Sequence, residues 1–229
     1  ETVIVNGLTA WRMLHRSARV RAGQKIVVLG AAGGVGSVLV QLALHAGASV
    51  IGVGSSPQQD AIAARGAIAV DYRTEDVAAR VAELAPDGVA AVFDHVGGEG
   101  IVSSWRMLAR GGTLVAYGTA STKDDPGSAR LPVLKLFARL TLWSALPNGR
   151  RARFFNLWAG RRRRAHFQAA LRDDLGHVLR LAREGAIDAP VAARYPLSQA
   201  AAALRFAERR GLIGKVIIVP DEVAPLWWR

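Results

Sequence analysis

The chain has 229 residues, 51% of them hydrophobic and 21% charged, with a formal net charge of +12 and no cysteine. That balance suits a folded globular protein with one good core and part of a second. It excludes an intrinsically disordered chain, disulfides and thiolate metal centres.

The predicted elements alternate. Residues 25–30 form a short β-branched run without polar interruption, as in a strand buried on both faces. A helix follows from about Gly34 to Ala46, with Val35, Val38, Leu39 and Leu42 on one face. Residues 49–54 make a second strand. A helix over 57–67 has Pro57 in its first turn and Gly66 at its end. Then come a strand over 68–73, a helix over 75–85, a strand over 89–97, a helix over 98–109 and a strand over 111–118. Strand–helix alternation with short links predicts an α/β protein, a doubly wound parallel sheet covered on both faces. The pattern weakens after Ser121. A polar loop precedes 131–146, which reads as either strand or helix. A helix over 165–185, a strand over 190–197 ended by Pro196, a helix over 198–210 and a last strand over 214–220 follow.

The turn Gly30-Ala31-Ala32-Gly33-Gly34-Val35-Gly36 joins the first strand to the first helix. Free N–H groups and the positive dipole end at the start of a helix attract an anion. A pyrophosphate reaches those groups only where no Cβ intervenes. Gly33 permits that approach, and Gly36 lets the helix pack on the sheet. Ala31 stands where the usual glycine signature has its first glycine. NAD sites usually end the second strand with Asp or Glu, which grips the ribose 2′-OH. Here Gly54-Ser55-Ser56 stand there, and the first acid is Asp60. That favours a cofactor bearing a 2′-phosphate, NADP(H). The Ser55 and Ser56 hydroxyls could bond the phosphate, or simply form a polar turn and cap the next helix.

One basic stretch stays outside this scheme. Arg150, Arg151, Arg153 and Arg161 to Arg164 form a basic segment. It reads either as a contact for nucleic acid or a membrane surface, or as a solvated face. Residues 34–54 and 131–147 are apolar but interrupted, by Gln41 and His45 in one and Lys135 and Arg139 in the other, so neither reads as a membrane span. The five histidines include no pair at metal-ligand spacing.

The segments "GAAGGVGSVLVQLA", "DYRTEDV", "FDHVGG", "LARGGTLVAYG", "YPLSQAAAAL" and "GKVIIVP" occur in the order seen in medium-chain dehydrogenase/reductases. The chain resembles their zinc-independent quinone oxidoreductase branch, zeta-crystallin included, most weakly over 121–165. The resemblance implies a Rossmann-type domain over 18–185, preceded by a connecting helix over 1–17. A segment over 186–229 is expected to return to a GroES-like β domain as its remnant. The rest of that domain precedes this stretch in the family, so the resemblance implies an N-terminally truncated fragment, inactive alone.

Carried over position by position, the resemblance places Gly33, Gly34, Val35 and Gly36 at the pyrophosphate. It places Gly54, Tyr72 and Arg210 around the adenosine 2′-phosphate, with Gln58 where relatives have a lysine. Val96 and Gly97 fall beneath the ribose, and Thr9, Gly118 and Thr119 beside the nicotinamide. Tyr72 also reads as a strand aromatic and Arg210 as a solvated helix end. Asp94 and His95, at the end of a strand, read as loop-orienting groups. The implied activity is a cytoplasmic, homodimeric, NADPH-dependent reductase that transfers a hydride to a quinone or an α,β-unsaturated carbonyl, with no metal. The alternative is a non-catalytic nucleotide-binding relative whose basic surface meets a membrane, a partner or nucleic acid.

Overall fold

The computed structural model describes residues 3–118, 130–209 and 211–221. Strand β1 (Lys25–Leu29) has Ile26, Val27 and Val28 fully buried. A strand apolar on both faces cannot meet water, and β1 lies in the middle of the sheet. It pairs in parallel with β2 (Ser49–Gly54) on one side and β4 (Val89–Asp94) on the other. The whole sheet runs β3 (Ile68–Asp71), β2, β1, β4, β5 (Leu108–Ala116), β6 (Arg151–Phe154), with every pair parallel. The chain order reverses between β1 and β4, which makes the sheet doubly wound, as the alternation predicts.

Successive strand residues feed two cores. Ile26 and Val28 of β1, Phe93 of β4 and Val115 of β5 pack with α2 (Gly34–His45) and α7 (Arg164–Arg183). Val27, Val92 and Leu114 face the opposite way, toward α4 (Val77–Leu84), α5 (Ile101–Arg106) and α6 (Arg130–Ala145). The short α3 (Gln59–Ala63) links β2 to β3 and sends Ile62 into the first core. The segment 131–146, open between strand and helix in the sequence, is therefore helical as far as Ala145. The strand that extends the sheet is β6 instead, which carries only Ala152 buried between two exposed arginines. Beyond α7, β7 (Val191–Pro196) and β8 (Lys215–Val219) form a separate two-stranded parallel sheet with α8 (Ala200–Ala207) between them. Among the described residues no helix is long and apolar enough to cross a membrane.

The chain opens with a helical run in which α1 (Leu8–Trp11) lies between π-helical turns at Val3–Gly7 and Arg12–Ala18. Met13 and Leu14 sink fully into the first core. A buried carboxylate ties this run to α7. Asp174 is fully buried and accepts from Trp11 Nε1 at 3.1 Å and Arg16 Nη2 at 2.8 Å, and Arg12 Nε stands 3.2 Å away. Truncating one member of a buried ion pair leaves its partners uncompensated. Asp174→Ala is expected to cost about 3 kcal/mol of stability. Asp173, whose side chain is 60% exposed, is the control, with an expected cost of at most about 1 kcal/mol for Asp173→Ala. Thermal unfolding of both variants checks the contrast.

Candidate dinucleotide site

The carboxyl ends of β1, β2, β3, β4 and β5 share one edge of the sheet, where open α/β sheets bind ligands. The turn after β1 is built around close backbone approach. Gly30 takes a positive φ of 67°, and a Cβ there would strike the His95 ring. At Gly36 a Cβ would collide with the Gly30 carbonyl and come within 3.1 Å of Ala31 Cα. The obstacle is backbone, so it cannot swing aside: the absence of a side chain at Gly36 seats α2 on the turn. Gly33 is the N-cap of α2, with extended backbone and no side-chain cap. The first N–H groups of the helix thus have neither an intrahelical acceptor nor a capping side chain.

The space over Gly34 is defined by two side chains. A Cβ built on Gly34 would lie 2.5 Å from Lys215 Cε and 2.9 Å from Asn6 Nδ2. Lys215 opens β8 and Asn6 belongs to the first helical turn, so the two ends of the chain converge on the turn. Asn6 is 4% exposed, and its Nδ2 has no hydrogen-bond partner. Gly214 N–H donates to Ala32 O at 3.2 Å, which fixes the start of β8 against the turn. A helix N-terminus, the end of the Lys215 side chain and an orphaned amide donor thus meet over Gly34, where the flexible lysine side chain already fills the space and must move aside to admit an anion. This chemistry fits a pyrophosphate. Neither Lys215 nor Asn6 is among the residues singled out from the sequence. "GKVIIVP" was legible as a strand, but nothing local shows where its lysine reaches.

Gly33, Gly34, Val35 and Gly36 are joined at this edge by Val96, Gly97 and Gly118. Asp94, fully buried at the end of β4, accepts from the N–H groups of Val96 at 2.8 Å and Gly97 at 2.9 Å, and from the Ser104 hydroxyl at 2.7 Å. It shapes the loop, as its position suggests. Gly97 adopts φ 67° and ψ −146°, a conformation essentially reserved for glycine. A Cβ on Gly118 would lie 2.6 Å from His95 O, so the loops after β4 and β5 touch. Burial holds the His95 imidazole pKa below its usual value, against an opposing pull from Asp94, and pushes the Tyr117 hydroxyl upward. Thr9, half-buried in α1, sits three residues beyond Asn6. Thr119 and Arg210 lie outside the described residues.

At the far end, Gly54 stands in register with Asp71. The two serines that follow are already engaged. Ser55 is 5% exposed and forms a capping box with Gln58, whose Oε1 lies 3.1 Å from Ser55 Oγ and 3.0 Å from its N–H. Gln58 Nε2 in turn donates to Leu212 O at 2.9 Å. Ser56 bonds Asp71, whose carboxyl is held below the usual range first by that hydroxyl and then by the Arg73 N–H. Each hydroxyl has one proton to donate, so neither is free to donate to a phosphate in this arrangement. Tyr72 is 54% exposed beside them. Gly211 packs against Pro57 with its Cβ position 3.9 Å from Ser55 Oγ, which brings the chain after α8 to this end.

Residues 64–218, more than half the chain, match a family model described as zinc-binding dehydrogenase. Among the described residues no group of three His, Cys, Asp or Glu could hold a metal ion, so the residues present do not fit a zinc centre. A 2-haloacrylate reductase from Burkholderia sp. is 29% identical over 222 residues, which are 96% of this chain and 62% of that protein. The crystal structure of a quinone oxidoreductase from Pseudomonas syringae pv. Tomato DC3000 is 27% identical, with a TM-score of 0.75 over 96% of this chain and 63% of that one. A mycobacterial protein solved in complex with NADPH is 29% identical, with a TM-score of 0.74 over 96% and 63%. The chain therefore spans less than two thirds of the length of these relatives. It belongs to the medium-chain dehydrogenase/reductase superfamily, in its quinone oxidoreductase-like branch.

Proposed function

We propose that this chain is the dinucleotide-binding part of an NADPH-dependent reductase that delivers a hydride to a quinone or an α,β-unsaturated carbonyl. The observation that carries the reading is the convergence of Lys215, the orphaned Asn6 amide and the start of α2 over Gly34. The bound cofactor supplies the hydride. The chain's own residues bind and orient. The N–H groups of Gly34 and Val35, with Lys215, hold the pyrophosphate, and Gly33 leaves it room. Asn6 donates its free amide proton to the same group. Val96 and Gly97, ordered by Asp94, lie under the ribose, and Gly118, Thr119 and Thr9 flank the nicotinamide. Gly54, Ser55, Ser56, Tyr72 and Arg210 surround the adenosine end. With both serine hydroxyls engaged, selectivity for the 2′-phosphate rests on Tyr72, Arg210 and the lack of a carboxylate at the end of β2. No proton transfer is assigned to Asp94 or His95, and no step is assigned to zinc.

We propose that the other side of the molecule forms a homodimer contact. Among the described residues no strand pairs with the outer edge of β6, and α6 beside it exposes Leu134, Phe137 and Leu142, with Leu146 exposed just beyond the helix. Light scattering should give twice the chain mass, and Leu142→Glu should shift it to the monomer. A monomeric parent contradicts the dimer.

Calorimetric titration should show NADPH binding more tightly than NADH. Ser55→Asp should reverse the order, since aspartate both caps a helix and repels the 2′-phosphate. Equal affinities in the parent contradict the cofactor assignment. Lys215→Met should weaken both cofactors by about tenfold, the loss of one charge-assisted contact.

The glycines divide. Gly36→Val should lower stability by more than about 2 kcal/mol, because its obstacle is backbone. Gly33→Val, whose Cβ would press on the Gly30 carbonyl at 3.2 Å but not overlap it, should cost less stability than Gly36→Val and lose cofactor binding. Similar melting and similar binding in the two variants would contradict the division.

A further inference from the structure

The basic segment after β6 forms a concave site that shares no residue with the glycine turn. A pocket of about 520 Å³ is lined by Arg161, Arg162, Arg163, His166, Trp158 and Phe167, among others, and no acidic residue lines it. The chain leaves β6 at the carboxyl edge of the sheet, where Phe155 N–H donates to Ala116 O at 2.7 Å. The segment that lines the pocket therefore starts from the carboxyl edge of the sheet. Arg12 closes the base, but its charge is already answered. It is paired with Asp174, donates to Leu157 O at 3.1 Å and lies over the Phe167 ring. The three rim arginines are different. All are exposed, and none makes an ion pair with a described residue. The nearby acids of α7 are committed elsewhere, Asp174 to Arg12 and Arg16, Asp173 to Arg16 and His177. Adjacent like charges repel, so an unanswered rim of guanidinium groups holds its place best with a multivalent anion across it.

The other wall is aromatic. Trp158 is 57% exposed, with its ring centroid 6.2 Å from that of Phe167. Its N–H donates to Asn156 Oδ1 at 2.9 Å, which anchors the backbone that presents the ring. An exposed indole beside several guanidinium groups offers a stacking face and phosphate ligands together. We infer that this pocket is a second ligand site, specific for a nucleoside di- or triphosphate, with the base on Trp158 and the phosphates on Arg161, Arg162 and Arg163. The same chemistry belongs to a free nucleotide and to the nucleotide handle of a carrier-linked substrate.

ADP is the probe, with calorimetry on the full chain. The parent should bind two ADP per chain, one at the glycine turn and one here. Arg161→Glu/Arg162→Glu/Arg163→Glu, exposed changes that should leave the melting temperature unchanged, should weaken one site by at least tenfold and spare the other. Lys215→Met should do the converse. Trp158→Ala should weaken ADP at this site about tenfold and leave inorganic pyrophosphate within about twofold. Competition against ADP separates the two sources. If an enoyl thioester of a nucleotide-bearing carrier displaces ADP from this site more tightly than the free carrier nucleotide does, and the triple variant loses that displacement, the nucleotide is carried by the substrate. Displacement no tighter than that of the free nucleotide assigns the site to a free nucleotide. The inference is overturned by a single ADP per chain that the charge reversals leave untouched. It is equally overturned if Trp158→Ala has no effect on ADP while an RNA oligonucleotide binds the arginines more tightly, which would make the face a polyanion surface.

Discussion

The contact on which the rest depends is the seat of α2 on the Gly30 carbonyl. With no side chain at Gly36, the helix starts directly against the turn, and its N-terminal N–H groups face the sheet edge instead of being lifted from it. The same contact brings Val38, Leu39 and Leu42 down onto Ile26 and Val28, so the geometry of the anion site and the packing of the first core are one constraint. A larger residue at Gly36 would disturb both.

Around that seat the molecule gathers groups from remote parts of the chain. The Asp94 carboxylate spends its oxygens on Val96, Gly97 and Ser104 and so fixes a loop that touches Gly118 and, through the His95 ring, Gly30. The first helical run and β8 deliver Asn6 and Lys215 from opposite ends of the chain. Asp174 holds that run to α7 and thereby holds Asn6 in place. The positive end of the helix and the lysine side chain then act on the same point over Gly34, each strengthening the case for an anion there.

Most of the sheet was legible because its strands are buried on both faces and read as unbroken β-branched runs between helices of clear period. β6 was not, since an edge strand of Arg151, Ala152, Arg153 and Phe154 has a single buried residue and no apolar run to read. The glycine turn was legible for a local reason, the need for bare backbone. The role of Asp94 was legible from its place at a strand end. Lys215 and Asn6 were invisible because only the tertiary fold brings them to Gly34. The Ser55–Gln58 capping box was open to view as a spacing, yet the pairing of Ser56 with Asp71 depended on the register of β2 and β3.

The most direct measurement is a crystal structure of the chain with NADPH. The pyrophosphate should lie at the start of α2, with its oxygens within hydrogen-bond distance of the Val35 N–H and Lys215 Nζ, and the Asn6 amide turned onto the same group. A dinucleotide bound elsewhere, or a pyrophosphate over the turn with Lys215 pointing to solvent, would contradict this placement.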